Sequence, residues 1–138
     1  MEQYDYEMQL LYDIKGAIFD TYNKLGPGLL EKAYKSVLCY YLRKRGLKCQ
    51  SEVLVPILID DINMDVHFRI DILVEDCVVI ELKAVEQVSQ YHHRQILNYM
   101  RLGNYHRGFL VNFDTDNIMK SIYPKINAKA PAPERKNH

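Results

Sequence analysis

Three charged residues stand inside a stretch that otherwise reads as buried strand. The segment from Arg69 to Lys83, RIDILVEDCVVIELK, has two apolar runs either side of Glu75-Asp76, and those runs carry Asp71, Glu81 and Lys83. Desolvating a charge is costly unless it is paired or bound to a metal, so charges there point to chemistry. Two carboxylates side by side make a hard oxygen site suited to Mg²⁺ or Mn²⁺. A cation so held polarises a phosphate and lowers the pKa of a bound water. A neighbouring ammonium stabilises charge developing on the phosphoryl group.

The three act together only if they share a face. Glu81 and Lys83 are two apart on one strand, so their side chains point the same way. Opposite residues of an antiparallel hairpin have a constant index sum, so pairing Asp71 with Glu81 requires an odd-numbered loop. The parity predicts a three-residue loop, Glu75-Asp76-Cys77, with a bulge. A two-residue loop would set Asp71 against Ile80 and part the carboxylates.

The elements that must position this hairpin follow from periodicity. Tyr6, Leu10, Ile14, Ile18 and Tyr22 recur in steps of four, predicting a helix from about Tyr6 to Leu25 that ends at Gly26-Pro27-Gly28. A second helix is expected from about Leu29 to Arg45, its basic end (Arg43, Lys44, Arg45) complementing the helix dipole. Alternation from Val53 to Ile59 predicts a strand that Pro56 confines to a sheet edge. Asp60 to Asn63 reads as a polar turn. Strands from about Met64 to Val74 and Val78 to Ala84 follow, then a helix from about Glu86 to Leu102, with Val88, Tyr91, Gln95, Tyr99 and Leu102 on one stripe. Gly108 to Phe113 reads as a buried strand that the helical crossover brings parallel to its predecessor. Ile118 to Lys125 is either one more strand or an extended segment on the sheet edge. The fold class is α/β with a mixed sheet, in the order α-α-β-β-β-α-β.

Composition narrows the classes. The 138 residues, 48% hydrophobic and 26% charged, suit one globular domain over residues 1–127. Residues 128–138, AKAPAPERKNH, offer nothing to bury and are expected to be a disordered tail. The 18 basic and 18 acidic residues cancel, which excludes a whole-protein basic field but leaves room for a local basic groove. Three cysteines without CxxC spacing argue against a disulfide framework or a zinc knuckle. No apolar run approaches the ~20 residues of a membrane span. MEQYDYEMQL lacks the features of a signal peptide, so no membrane and a cytoplasmic location are expected.

Individual residues have bland alternatives. An isolated Glu-x-Lys on a strand is usually a solvent-facing ion pair. His92 and His93 are adjacent and face different ways on a helix, which disfavours a zinc pair; His92, three before Gln95, is positioned to line a groove. Arg69, two before Asp71, either pairs with a carboxylate or touches phosphate. Tyr34 either packs with its hydroxyl satisfied, the commoner arrangement, or presents it to phosphate.

Asp71-x9-Glu81-x-Lys83 on consecutive strands resembles the signature of the PD-(D/E)XK nuclease superfamily, with Ile70 where the name has proline. Gly28-Leu29-Leu30-Glu31-Lys32-Ala33-Tyr34 reads G-x-x-E-x-x-Y and, with ELKAVEQV, the helix carrying Gln95 and Tyr99, and GFLVNF, resembles the small bacterial GxxExxY branch of that superfamily. The likeness covers approximately residues 10 to 115. It implies a restriction-endonuclease-like core in which Asp71 and Glu81 bind the metal and Lys83 is the catalytic lysine. Glu31 would add a carboxylate and Gln95 would touch the site or substrate. Tyr34, Arg69, His92 and Tyr99 are the candidate substrate contacts. The expected function is Mg²⁺- or Mn²⁺-dependent hydrolysis of phosphodiester bonds, in DNA ahead of RNA, by a metal-activated water. The alternative is a noncatalytic nucleic-acid-binding or regulatory module that keeps the fold. A homodimer is one way to enlarge the groove.

Overall fold

The step-of-four stripe produces a helix longer than the stripe itself. In the computed structural model, which describes residues 2–134, helix α1 spans Glu2–Leu25 and buries Leu10, Ile14, Ala17 and Ile18. It stops at Gly26, whose φ is +65° and whose N–H donates to the Tyr22 carbonyl at 2.7 Å. Gly28 has φ +98° and open space where a Cβ would stand. Its conformation requires glycine, rather than any close approach of the next helix to the sheet.

Helix α2 spans Glu31–Lys44, starting two residues later than the sequence suggests because Leu29 and Leu30 still belong to the loop. The Leu29 N–H donates to the Tyr34 hydroxyl at 3.1 Å, and that hydroxyl donates to the Gly26 carbonyl at 2.6 Å. The Tyr34 ring is fully buried and stacks on Phe113 with centroids 4.5 Å apart. Tyr34→Phe is expected to cost about 1–3 kcal/mol, because it leaves two backbone groups of the loop without their partner. Thermal melting checks this; an unchanged melt would show that water satisfies those groups equally well.

Five strands form one sheet in the sequential order β1-β2-β3-β4-β5: β1 (Cys49–Ile59), β2 (Ile62–Val74), β3 (Val78–Lys83), β4 (Arg107–Asn112) and β5 (Ile122–Ile126). Neighbours are antiparallel except β3 and β4, which are parallel across the helical crossover. Strand β1 is an edge, as Pro56 demands, and its register shifts between Pro56 and Leu58. Asp60 and Asp61 both have positive φ, the pattern of a two-residue type I′ turn, so β2 starts at Ile62 rather than Met64. The segment after Asp114 resolves into a short 3₁₀ helix, Ile118–Ser121, and β5 on the opposite edge, where Pro124 is tolerated.

The crossover helix α3 spans Gln90–Leu102, four residues shorter than its periodicity implies. Ser89 ends the preceding loop by capping it: its hydroxyl accepts from the His92 N–H at 3.4 Å, and its own N–H donates to His92 Nδ1 at 3.1 Å.

Helices α1 and α2 cover one face of the sheet, packing on Ile72, Val74, Val78, Ile80 and Leu82. Helix α3 covers the other through Ile96 and Met100, packed with Leu73, Val79 and Leu110. Cys39 of α2 and Cys49 of β1 are buried free thiols with sulfurs 2.9 Å apart. No helix among the described residues is long and apolar enough to cross a membrane. Residues 128–134 follow β5 without helix or strand, yet Ala130 is buried and its carbonyl lies 3.0 Å from His106 Nδ1. Residues 135–138, the end of the expected tail, lie outside the described residues.

Candidate active site

The hairpin between β2 and β3 has the odd loop that the carboxylates require. Ile72 pairs with Ile80, Leu73 with Val79 and Val74 with Val78, which leaves Glu75-Asp76-Cys77 as the loop. Glu75 and Asp76 have positive φ and the Cys77 N–H donates to the Val74 carbonyl at 3.0 Å, so a tight turn is followed by one bulged residue. The same register carried one step further sets Asp71 against Glu81.

At that step the ordinary ladder gives way. Ile70 packs with the α3 cluster, whereas Ile72 packs with α1 and α2. Residues two apart on a regular strand share a face, so β2 changes face at Asp71. The β1–β2 ladder shows the same disturbance: Ser51 pairs with Ile72 and Val53 with Ile70, stepping over Glu52 and Asp71, and Glu52 has φ +55°. Beyond Ile72 and Ile80 the carboxylates take over from ladder bonds. The Asp71 N–H donates to Glu81 Oε1 at 3.2 Å, and the Leu82 N–H donates to Asp71 Oδ2 at 2.9 Å. Each acid thus serves a backbone donor next to the other, which holds both carboxylates in one place.

Their electrostatics are unfavourable in isolation. Glu81 is 3% exposed. Burial, and then the negative charge of Asp71, push its carboxyl up to about 9. A buried carboxyl beside a second carboxylate is eased by a positive charge placed between them.

Lys83 supplies one charge on the same face. Its Nζ donates to Gln95 Oε1 at 3.2 Å, and Gln95 Nε2 donates to the Tyr99 hydroxyl at 3.1 Å. Tyr99 stacks on Phe68 with centroids 4.6 Å apart. Burial and then the Glu81 charge raise its phenol above the usual range. Gln95 and Tyr99 lie one helical turn apart, so α3 presents both to the β3 lysine. Phe68, the platform under Tyr99, is the part of this row that the sequence does not single out; its spacing of three from Asp71 does not suggest a shared site.

Glu31 is placed differently. It is the exposed first residue of α2, one turn before Tyr34. Tyr34 stacks on Phe113, whose N–H donates to the Lys83 carbonyl at 2.9 Å, so Glu31 lies toward the end of the sheet where Lys83 stands. Among the described residues no three His, Cys, Asp or Glu side chains converge as a metal-binding group, so Glu31 is not gathered with Asp71 and Glu81.

Three candidate substrate contacts are used otherwise. Tyr34 is buried with its hydroxyl committed to the Gly26–Leu29 loop. His92 gives Nδ1 to the α3 cap, which fixes its ring at the helix start. Arg69 pairs with Glu52 at 3.8 Å. Glu52 also binds Lys35 of α2, so Arg69 stands with the α2 side; the change of face at Asp71 separates it from Glu81. A hollow of about 900 Å³ is bounded by Asp76, Cys77, Tyr105 and Pro133 at the loop end of the hairpin, away from Asp71 and Glu81.

Comparison with curated proteins and with solved structures gives no significant match. A family model described as the PD-(D/E)XK nuclease superfamily matches residues 8–123, which include the whole Asp71–Lys83 hairpin, Gln95 and all of β4. With its mixed five-stranded sheet and its Asp71, Glu81 and Lys83 brought together on consecutive strands, the chain belongs to the PD-(D/E)XK nuclease superfamily.

Proposed function

We propose that this protein is a metal-dependent nuclease that hydrolyses phosphodiester bonds of nucleic acid, DNA ahead of RNA. The observation that carries the reading is the reciprocal Asp71–Glu81 pair, buried at Glu81 and half-buried at Asp71, at a break in the ladder with Lys83 beside it. Nucleases of this superfamily generally use divalent metal ions. The donor set fits such a group: two hard carboxylates each engage the backbone through one oxygen, and Mg²⁺ commonly needs only one or two carboxylates, keeping waters for its other positions. When bound, Mg²⁺ or Mn²⁺ supplies Lewis acidity toward a phosphoryl oxygen and makes a water more acidic.

The chain's own residues do the rest. Asp71 and Glu81 hold the cation. Lys83 stabilises negative charge that builds on the phosphoryl oxygens, and Gln95 keeps the ammonium aimed. Tyr99, resting on Phe68, orients Gln95 and borders the substrate. Glu31, at the same end of the sheet, is the residue able to complete the ligand set when substrate binds. The Gly28-x-x-Glu31-x-x-Tyr34 motif supports assignment to the GxxExxY branch of bacterial proteins and, with it, a cytoplasmic setting.

Cleavage of single- and double-stranded DNA and of RNA, with Mg²⁺, Mn²⁺ or EDTA, tests the reading. Metal-dependent cleavage that EDTA abolishes is expected. No cleavage of any polymer, together with no Mg²⁺ binding by calorimetry, would leave a noncatalytic module instead.

A further inference from the structure

The overall charge is zero, yet the cations are not evenly spread. A cleft of about 280 Å³ lies between α2 and β1, lined by Lys32, Lys35, Ser36 and Arg43 of the helix and by Ser51 and Glu52 of the strand. The helical residues follow the spacing of one face, so α2 directs three cations and a hydroxyl into the cleft. Arg69 joins them by reaching Glu52 from β2. Three cations, Lys35, Arg69 and Lys32, therefore act on one carboxylate, Glu52. Lys35 holds Glu52 at 2.9 Å, and this bond keeps the Glu52 carboxyl below its usual range.

The cleft's position relative to the carboxylate pair gives it a use. Glu52 is the residue stepped over opposite Asp71, and cross-strand neighbours lie about 4.5–5.5 Å apart at Cα. Helix α2 runs from the Lys83 end of the sheet, near Lys32, to β1's start, where Arg43 donates to the Cys49 carbonyl at 2.8 Å. The row of cations thus starts at the Lys83 end of the sheet, on the α2 face, and follows the β1 edge away from that end. A strand of nucleic acid crossing Asp71 and Glu81 must continue past one edge of the sheet, and only a cationic surface receives its phosphates.

We infer that the α2–β1 cleft binds the phosphates of nucleic acid flanking the scissile bond, through Lys32, Lys35, Arg43 and Arg69, with Glu52 as the resident anion that those phosphates displace. The inference deepens the proposed function and rests on its nucleic-acid part.

Fluorescence anisotropy with a short labelled DNA duplex, and with RNA of the same sequence, tests it in the full chain across a salt series without Mg²⁺. The double variant Lys32→Glu/Lys35→Glu is expected to bind at least about tenfold more weakly, with a salt slope smaller by about two. Glu52→Gln is expected to bind severalfold more tightly, since it removes the competing anion and frees Lys35 and Arg69. A gain of affinity in a variant with an unchanged melt does not arise from misfolding. A double variant that binds within about twofold of wild type, at the precision of one lost contact, overturns the inference, as does weaker binding by Glu52→Gln. Wild-type cleavage with Mg²⁺, measured in parallel, separates the two readings: cleavage with an unresponsive cleft removes only the cleft, and a responsive cleft without cleavage removes only the catalysis.

Discussion

Glu81→Gln is expected to give a protein that is more stable than wild type and inactive. The wild-type carboxyl is buried beside Asp71, with a folded value of about 9, against about 4.3 in an unfolded chain. A carboxyl raised in this way binds its proton more tightly when folded. At pH below about 4 both states hold the proton and the contribution to stability is complete. Between there and about 9 the unfolded chain has released it, so stability falls as pH rises. Above that value the loss is complete. Glutamine keeps the shape, accepts the Asp71 N–H as Glu81 does, and offers Asp71 a donor. In EDTA at pH 8 to 9 the melting temperature should rise by about 5–10 °C, corresponding to roughly 2–3 kcal/mol in a domain of this size. The wild-type melt should fall with pH over that range, and the variant's much less. Mg²⁺ should restore wild-type stability by binding the native state alone, and nuclease activity should drop at least about a hundredfold in the variant, beyond the usual cost of an outer-shell partner. A variant less stable than wild type at alkaline pH would show that Glu81 is not strained, and one still active would show that it is not a ligand.

Lys83→Met is expected to separate charge stabilisation from metal binding. The lysine touches Gln95, not the carboxylates' backbone partners. Methionine keeps much of its length and apolar stem, so the site should stay folded. Turnover is expected to fall about 10²–10³-fold, the usual effect of removing one donor from developing negative charge. Calorimetric Mg²⁺ affinity should stay within a few fold. Turnover within a few fold of wild type would assign Lys83 to the Gln95–Tyr99 hydrogen-bond row alone, and loss of Mg²⁺ binding would mean that its charge shapes the cation site.

Much of this site was legible because strand parity is rigid. Asp71, Glu81 and Lys83 constrain one another through a period of two, and the odd loop follows by counting. The change of face at Asp71 was not legible. It coincides with Glu52, across the ladder, adopting φ +55°, a conformation that no glycine or asparagine announces, and so Arg69 reads from spacing as a neighbour of Asp71 when it faces α2. The start of α3 was misjudged for a chemical reason: the capping box uses His92 where a glutamate or glutamine is the usual mark. Tyr34 follows the commoner of its two alternatives, since a buried hydroxyl takes the nearest backbone groups. The position of Glu31 needed the Tyr34–Phe113 stack, a contact between residues too far apart in sequence for any periodicity to relate. Strand β5 was ambiguous because Pro124 is admissible both in an edge strand and in an extended segment.

The three residues from Glu75 to Cys77 touch none of this chemistry, yet they set its phase. Glu75 and Asp76 anchor the loop to Lys48, and the number of loop residues fixes the register. Gaining or losing one residue there would slide β3 by one place, turn Glu81 and Lys83 toward α1 and α2, and bring Leu82 and Ile80 to the α3 side. This loop behaves as a counter, and the candidate active site is what it counts.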